Sequence, residues 1–336
     1  MLRCRKIREE FMRLSPLSLT LCAALFAAIV GIAPASAAGY PDKPVKIIVP
    51  FAPGGPTDMI GRIFAQKLSE SMGQQFYVEN LPGAGGNIGT ATAAKAPADG
   101  YTMLMVSTGF MVNPSLYAKV SYDPIKDFTP LTLVAVSPNV LFVHPSVPAT
   151  TVKELIDLVK RNPGKYSYAH AAIGSTPHLS GELLKLTFGL DLVTVPFTSA
   201  ALAINSTLGG HTPIGITALP PAVANIKEGK LRGLAVMAVK RPAVLAEVPT
   251  LAEAGVSGQE ADTLTGLVMP VGTSNEIIGR LHREIVRIGN LQEIKERLQT
   301  IGFIPVLNTP DEFGIRIKAE MAKWGKVVRD GKLRIE

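Results

Sequence analysis

Residues 45–58, which read VKIIVPFAPGGPTD, contain the pattern that decides the fold. Val45 to Val49 is a short run rich in β-branched residues, which predicts a buried strand that ends at Pro50. The glycine-rich turn after it leads into apolar residues at helical spacing, and Gly73 is placed to end that helix. The stretch therefore predicts a strand–loop–helix unit.

The same succession recurs along the chain. Residues 76–78 and 101–106 predict further strands, and residues 81–86 form a second glycine-rich turn before a helix over 88–95. A second series begins with predicted strands at 131–136 and 140–143 and a helix at 151–160. It continues with a segment at 166–169, a helix at 178–186 and further segments at 192–195, 202–208, 214–217 and 234–239. Predicted helices at 277–288, 291–299 and 311–328 close the chain. Strands that alternate with helices predict an α/β fold with parallel strands, arranged here as two α/β lobes.

The first 37 residues differ from the rest and predict a secretory signal peptide. A basic flank precedes an apolar run from Leu14 to Ile32, and Ala35-Ser36-Ala37 has the small-residue pattern of a cleavage site near Ala37. An uncleaved membrane anchor is the alternative, because the run is nearly long enough to span a bilayer. Cleavage predicts a periplasmic protein.

Composition excludes several function classes. The chain has 336 residues, of which 47% are apolar, so disorder and small disulfide scaffolds are excluded. The five basic and two acidic residues of the leader account for three of the seven net positive charges. No later basic run is interleaved with aromatic residues, so nucleic-acid binding has no support. Both cysteines, Cys4 and Cys22, also lie in the leader, which excludes thiol chemistry in the exported protein.

Two short segments, a proline-containing one near residues 136–138 and a second near residues 258–264, are candidate crossovers between the lobes. They predict a first lobe of residues 38–138 plus 261–336 and a second lobe of residues 139–260. A cleft between two such lobes is a natural ligand site.

Glycine-rich turns before helices point to anion binding. Gly54 to Asp58 and Gly83 to Asn87 each place backbone N–H groups at a helix start, where the helix dipole attracts a carboxylate or a phosphate. Asn87 is a candidate helix cap. Asp58 could meet a ligand ammonium group or could stabilise the first turn of its own helix. A dinucleotide fingerprint that starts at Gly83 fails, because it requires a glycine where the chain has Ile88.

Two further helix starts carry local signals. Thr150 or Thr151 is a candidate cap, with Glu154 placed to complete a capping box. Ser175 and His178 could belong to an exported hydrolase, but no G-x-S-x-G elbow surrounds them, and donors at a helix start suit carboxylate binding better. The remaining histidines show no metal-ligand spacing, so no metal or cofactor is predicted.

Ordered sequence blocks resemble a known family. Residues 45–58 and VENLPGAGGNIGT from Val78 are similar to the substrate-binding proteins of tripartite tricarboxylate transporters, the Bug or TctC family. Blocks at 98–102, 113–117, 127–130, 174–179 and 248–255 continue the match in the family's order. The resemblance covers nearly the whole chain after the leader.

The resemblance implies a type II-like periplasmic binding protein, a two-lobed Venus flytrap that is not an enzyme. It would capture an aliphatic di- or tricarboxylate, or an aromatic carboxylate, and deliver it to the membrane subunits of the transporter. A receptor that hands its closed form to a membrane sensor is the other possibility. The implied ligand-binding residues are Phe51, Gly54, Gly55, Thr57, Asp58, Ala84, Gly85, Gly86, Ser107, Thr108, Ser175, Thr176, His178, Phe197, Thr198 and Thr217.

Two positions depart from the family pattern. The usual V-P-Y-x-G-S motif is replaced by residues 195–200, which read VPFTSA, and the neutral Ile216-Thr217-Ala218 stands where an acidic residue is common. Both changes predict a second-lobe wall that is less charged than usual. The far end of the ligand is therefore expected to be uncharged or aromatic.

Overall fold

The computed structural model describes residues 39–335. The predicted signal peptide and its cleavage site near Ala37 lie outside the described residues. All elements below belong to Pro41–Glu336, which forms one compact unit.

Within the described residues, the chain forms one mixed sheet flanked by helices. Its strands are β1 (Val45–Val49), β2 (Phe76–Asn80), β3 (Thr102–Val106), β4 (Phe128–Val143), β5 (Ser167–Ala171), β6 (Val193–Phe197), β7 (Ile214–Ala218), β8 (Arg232–Val236), β9 (Asp262–Pro270) and β10 (Ile304–Pro305). Its helices are α1 (Pro56–Met72), α2 (Asn87–Ala94), α3 (Thr108–Leu116), α4 (Val152–Arg161), α5 (Thr176–Phe188), α6 (Ala200–Leu208), α7 (Val223–Lys227), α8 (Asn275–Gly289), α9 (Gln292–Thr300) and α10 (Pro310–Asp330).

The sheet has two similar halves. Its main strand order is β2-β1-β3-β9-β4-β7-β5-β6. Strand β1 pairs in parallel with β2 and β3, and β5 pairs in parallel with β6 and β7. The two parallel triplets are joined by the antiparallel strands β9 and β4. The α/β fold with parallel strands is confirmed, and each half brings the carboxyl ends of its parallel strands to one edge.

Strand β4 runs through both halves of the sheet. It pairs with β9 from Phe128 to Pro138 and with β7 from Asn139 to Val143. The prediction of two separate strands at 131–136 and 140–143 is therefore wrong. Pro138 cannot donate a backbone hydrogen bond, but its carbonyl accepts one from Leu219, so the strand continues where its partners change.

Local signals placed most helix ends well. Helix α1 begins at Pro56 and ends at Gly73, whose left-handed conformation (φ 73°) suits glycine. Thr151 caps α4 and forms the predicted capping box with Glu154. Residue Asn87, in contrast, lies in the first turn of α2 and does not cap it; Gly86 takes the cap position without a side-chain bond.

Candidate functional site

A cavity lies at the carboxyl ends of the parallel strands of both halves. This main cavity has a volume of about 530 Å³. Strand ends of this kind are where open α/β sheets bind ligands, because loops there are free to vary. Its lining residues are Phe51, Ala52, Gly55, Pro56, Thr57, Ser107, Ala171, Ala172, Ser175, Pro177, Thr198, Ser199, Ala200, Ala218 and Thr263.

The start of α1 forms one wall of the main cavity. Gly55 is the cap residue of this helix, in extended conformation, and no side chain bonds to the amides of the first turn. Pro56 has no N–H group, so the amide of Thr57 is the first inside the helix, and Thr57 lines the cavity. An uncapped helix start leaves amide donors and the positive end of the helix dipole for a ligand anion.

Asp58 stabilises the loop by hydrogen bonds and does not line the main cavity. Its Oδ2 accepts hydrogen bonds from the Gly54 amide and from Arg62 Nε, both at 3.0 Å, and its Oδ1 accepts one from Asn80 Nδ2 at 2.9 Å. Burial raises the pKa of the Asp58 carboxyl, but the hydrogen bonds from Arg62, Gly54 and Asn80 outweigh burial and hold that pKa below its usual range. The ionised carboxylate therefore stabilises the turn and occupies the Gly54 amide.

The second glycine-rich turn faces the other half of the sheet. Residues 83–86 all have positive φ, including Ala84. A Cβ atom on Gly85 would lie 2.7 Å from Tyr117 Oη and 3.0 Å from the Ile173 carbonyl oxygen, so only glycine fits this approach. Asn113 fixes the turn by donating from Nδ2 to the Gly85 carbonyl at 3.0 Å and to Asn87 Oδ1 at 2.7 Å.

A second recess, the side groove, opens beside this turn and has a volume of about 1240 Å³. It shares Phe51, Ala52, Ala172 and Thr198 with the main cavity, so the two spaces are continuous. Its remaining lining residues are Pro50, Pro82, Gly83, Ala84, Gly85, Gly86, Tyr117, Ile173, Pro196 and Phe197.

The start of α5 forms the wall opposite α1, and it caps itself. Ser175 Oγ accepts a hydrogen bond from the His178 amide at 3.5 Å and donates one to the Ala171 carbonyl. His178 Nδ1 accepts from the Gly174 amide at 3.3 Å. The hydroxyl and the imidazole are therefore bonded to backbone groups and not to each other.

Behind α5 lies a buried polar cluster. The rings of His170 and His178 lie 4.6 Å apart, and His170 is fully buried. Burial lowers the pKa of His170 to about 3, with a smaller contribution from neighbouring His178, and burial also lowers the pKa of His178. Glu182 Oε1 accepts from Tyr168 Oη, Lys185 Nζ and Thr194 Oγ1. The two imidazoles are neutral at physiological pH.

The predicted ligand-binding residues fall into two groups. Those that line the main cavity or the side groove are Phe51, Gly55, Thr57, Ala84, Gly85, Gly86, Ser107, Ser175, Phe197 and Thr198. The others stand outside both linings: Gly54, Asp58, Thr108, Thr176, His178 and Thr217. Thr108 and Thr217 are both buried: Thr108 Oγ1 accepts from the Leu264 amide at 3.4 Å, and Thr217 Oγ1 donates to the Ala218 carbonyl at 3.1 Å.

Sequence reasoning missed some lining residues. Ala171 and Ala172 lie just beyond the segment predicted at 166–169, at the end of β5, so the rule that ligands bind at strand ends could have found them. Thr263 of β9 and Tyr117 carry no local signal, because only long-range pairing brings them to the site.

The electrostatic character of the site comes from backbone groups. Among the described residues, none with a charged side chain lines the main cavity or the side groove. The described part of the chain also contains no cluster of three or more histidine, cysteine or acidic residues able to hold a metal ion. No helix in that part is long and apolar enough to cross a membrane.

Comparison with known proteins assigns the chain to a family. The sequence model of the tripartite tricarboxylate transporter family receptor matches residues 60–333. The chain belongs to the tripartite tricarboxylate transporter receptor family. It is 36% identical over 309 residues to the protein BugT of Bordetella pertussis, which covers 91% of this chain and 95% of BugT.

Solved structures of similar proteins share the fold. R. palustris Rpa4515 with adipate is 36% identical and covers 88% of this chain and 99% of that chain, with a TM-score of 0.85. The periplasmic binding protein BugD is 33% identical and covers 88% of this chain and 100% of that chain, with a TM-score of 0.83. The receptor fold of this chain is thus the predicted two-lobed periplasmic binding protein fold.

Proposed function

We propose that this receptor captures a small organic carboxylate between its two lobes in the periplasm and delivers it to the membrane subunits of a tripartite tricarboxylate transporter. The uncapped start of α1 in the wall of the main cavity carries the proposal. A carboxylate there would accept hydrogen bonds from backbone amides and neutralise the positive end of the helix dipole. The adipate bound to the similar R. palustris protein supports a carboxylate as the ligand.

The two lobes in this proposal are residues 38–138 plus 261–336 and residues 139–260. The change of partners along β4 between Pro138 and Asn139 supports this boundary, as does the start of β9 at Asp262. Strand β4 and the chain leading into β9 cross side by side, with the Asn139 amide donating to the Ala261 carbonyl at 3.2 Å, and such paired connections can act as a hinge. A ligand favours the closed state only through contacts that it gains on closure.

A receptor role fits the site better than hydrolysis. A serine nucleophile needs an adjacent base that takes its proton, and in a catalytic triad a third side chain orients that base. Ser175 Oγ donates to a backbone carbonyl, while His178 accepts from a backbone amide, so this pair lacks the arrangement of a nucleophile and its base.

Calorimetric titration of the purified protein tests the proposal directly. We expect at least one member of a panel of aliphatic and aromatic mono-, di- and tricarboxylates to bind with a Kd of about 10 µM or tighter, which corresponds to roughly 7 kcal/mol. Solution scattering should show a smaller radius of gyration at saturation. A folded protein that binds no member of the panel would contradict the proposal.

A further inference from the structure

The side groove is lined mainly by apolar side chains, and its chemistry differs from that of the main cavity. Apolar side chains from both halves of the sheet line it, namely Pro50, Phe51, Ile173, Pro196 and Phe197. It is continuous with the main cavity, so a ligand whose anionic end lies at the start of α1 can extend into it. The groove is therefore placed to receive the rest of that ligand.

A second carboxylate would find few groups in the side groove that stabilise its negative charge. The starts of α1 and α5 line the main cavity. Gly86, the cap residue of α2, does line the side groove, but the amides of Gly86 and Asn87 already donate to the carbonyls of Gly83 and Ala84. Among the described residues, no lysine, arginine or histidine lines the groove. Moving a carboxylate out of water without a cation or hydrogen-bond donors costs several kcal/mol, whereas burying methylene or ring carbons is favourable.

Arg62, the cation that contacts the α1 loop through Asp58, is already paired. Arg62 donates from Nε to Asp58 and from its Nη2 to Asn80 Oδ1 at 2.9 Å. These bonds point the guanidinium toward the turn between β1 and α1. Arg62 lines neither the main cavity nor the side groove.

We infer that the ligand is a monocarboxylate with an apolar tail, whose carboxylate lies at the start of α1 and whose tail packs in the side groove against Phe51, Ile173 and Phe197. This inference rests on the proposed function and narrows its substrate class. It separates this chain from the adipate-bound relative, because adipate carries a carboxylate at each end of its chain.

Matched ligands test the inference. Hexanoate and adipate have the same six-carbon chain and differ only in the second carboxylate, and benzoate and terephthalate form the corresponding aromatic pair. Calorimetry on the purified protein should show that the monocarboxylate of at least one pair binds at least tenfold more tightly than its dicarboxylate partner. Equal or tighter binding of the dicarboxylate in both pairs would overturn the inference and leave the proposed function intact. Failure of all four ligands, together with the wider panel, would instead count against the proposed function.

Two variants locate the tail. Phe197→Ala should weaken binding of the preferred monocarboxylate at least fivefold, because ring contacts are lost, while acetate, which has no tail, should bind the variant as it binds the parent protein. Ile315→Ala is the matched control, since Ile315 is an exposed apolar residue on α10 that lines neither the main cavity nor the side groove, and it should leave binding unchanged. Pro196→Lys places a cation in the groove and should shift the preference toward the dicarboxylate. Unchanged binding of the monocarboxylate by Phe197→Ala, together with unchanged preference in Pro196→Lys, would contradict the inference.

Discussion

The starts of α1 and α5 form opposite walls of the same cavity, but they satisfy their first amides differently. Helix α5 begins at Ser175, whose hydroxyl accepts from an amide of its own first turn. Helix α1 begins after Gly55, which has no side chain to offer. In the proposed function, the start of α1 is left open for the ligand, whereas the start of α5 is closed by the chain's own residues. Substitutions at the two starts should therefore have opposite effects on binding and on stability.

The largest effect is expected at Gly55. Gly55→Asp would place a carboxylate at the cap position of α1, where it can accept from the amides that we assign to the ligand. A Cβ atom at this position meets nothing within 4 Å, and its φ of −84° suits any residue. We expect affinity to fall at least 100-fold, about 2.7 kcal/mol, with an unchanged or higher melting temperature. Calorimetry and thermal unfolding measure the two quantities.

Gly55→Ala is the matched control for this variant. It adds a methyl group without a carboxylate, so affinity within threefold of the parent protein is expected. If Gly55→Asp binds the ligand as well as Gly55→Ala does, the start of α1 is not the carboxylate site.

Acid is expected to destabilise the protein through the buried histidine His170 behind α5. Burial lowers the pKa of His170 from its ordinary 6.5 to about 3. Between these two pH values the imidazole is protonated in the unfolded chain and neutral in the folded chain. Stability from this group is complete above pH 6.5 and is lost as the pH falls toward 3. Between pH 7 and pH 5 the loss amounts to about 2 kcal/mol of the free energy of unfolding.

His170→Phe isolates this contribution. The other titratable groups of the cluster, His178, Glu182, Tyr168 and Lys185, remain in the variant. Chemical denaturation at pH 7 and pH 5 should show a smaller acid-induced loss in the variant than in the parent protein. An identical loss in both would show that His170 is not neutral in the folded state.

Only a small effect on binding is expected from Ser175→Ala. Removal of this cap should lower the free energy of unfolding by about 1 kcal/mol, because one amide of α5 loses its acceptor. Affinity should change less than fivefold. Urea denaturation and calorimetry on the same preparation measure both. A large loss of affinity at full stability would reverse the comparison between the two helix starts.

Local sequence patterns predicted the elements that hold the site, but not how those elements meet. The run at Val45 to Val49 and the turn before α1 predicted the first strand and helix, because periodicity and turn chemistry are local. Strand β9 and helix α3 were not predicted. Helix α3 contains Pro114, which ordinarily interrupts a helix, and β9 is specified by its pairing with β3 and β4.

The residues of the site could likewise be predicted only in part from local sequence. Glycine-rich turns identified both loops of the first half, but the partner of the Gly54 amide could not be read from spacing alone. Asp58 accepts the hydrogen bond from that amide because Arg62 and Asn80 hold its carboxylate in place. Asn80 lies on β2, outside the loop and its helix. Of the two roles considered for Asp58, stabilisation of its own turn is the one that these bonds favour.

A crystal structure of the protein with its preferred carboxylate would test the central claim most directly. The account predicts a carboxylate oxygen about 3 Å from the amide nitrogen of Thr57, at hydrogen-bond distance. A carboxylate bound elsewhere, with no ligand oxygen near the first turn of α1, would contradict it.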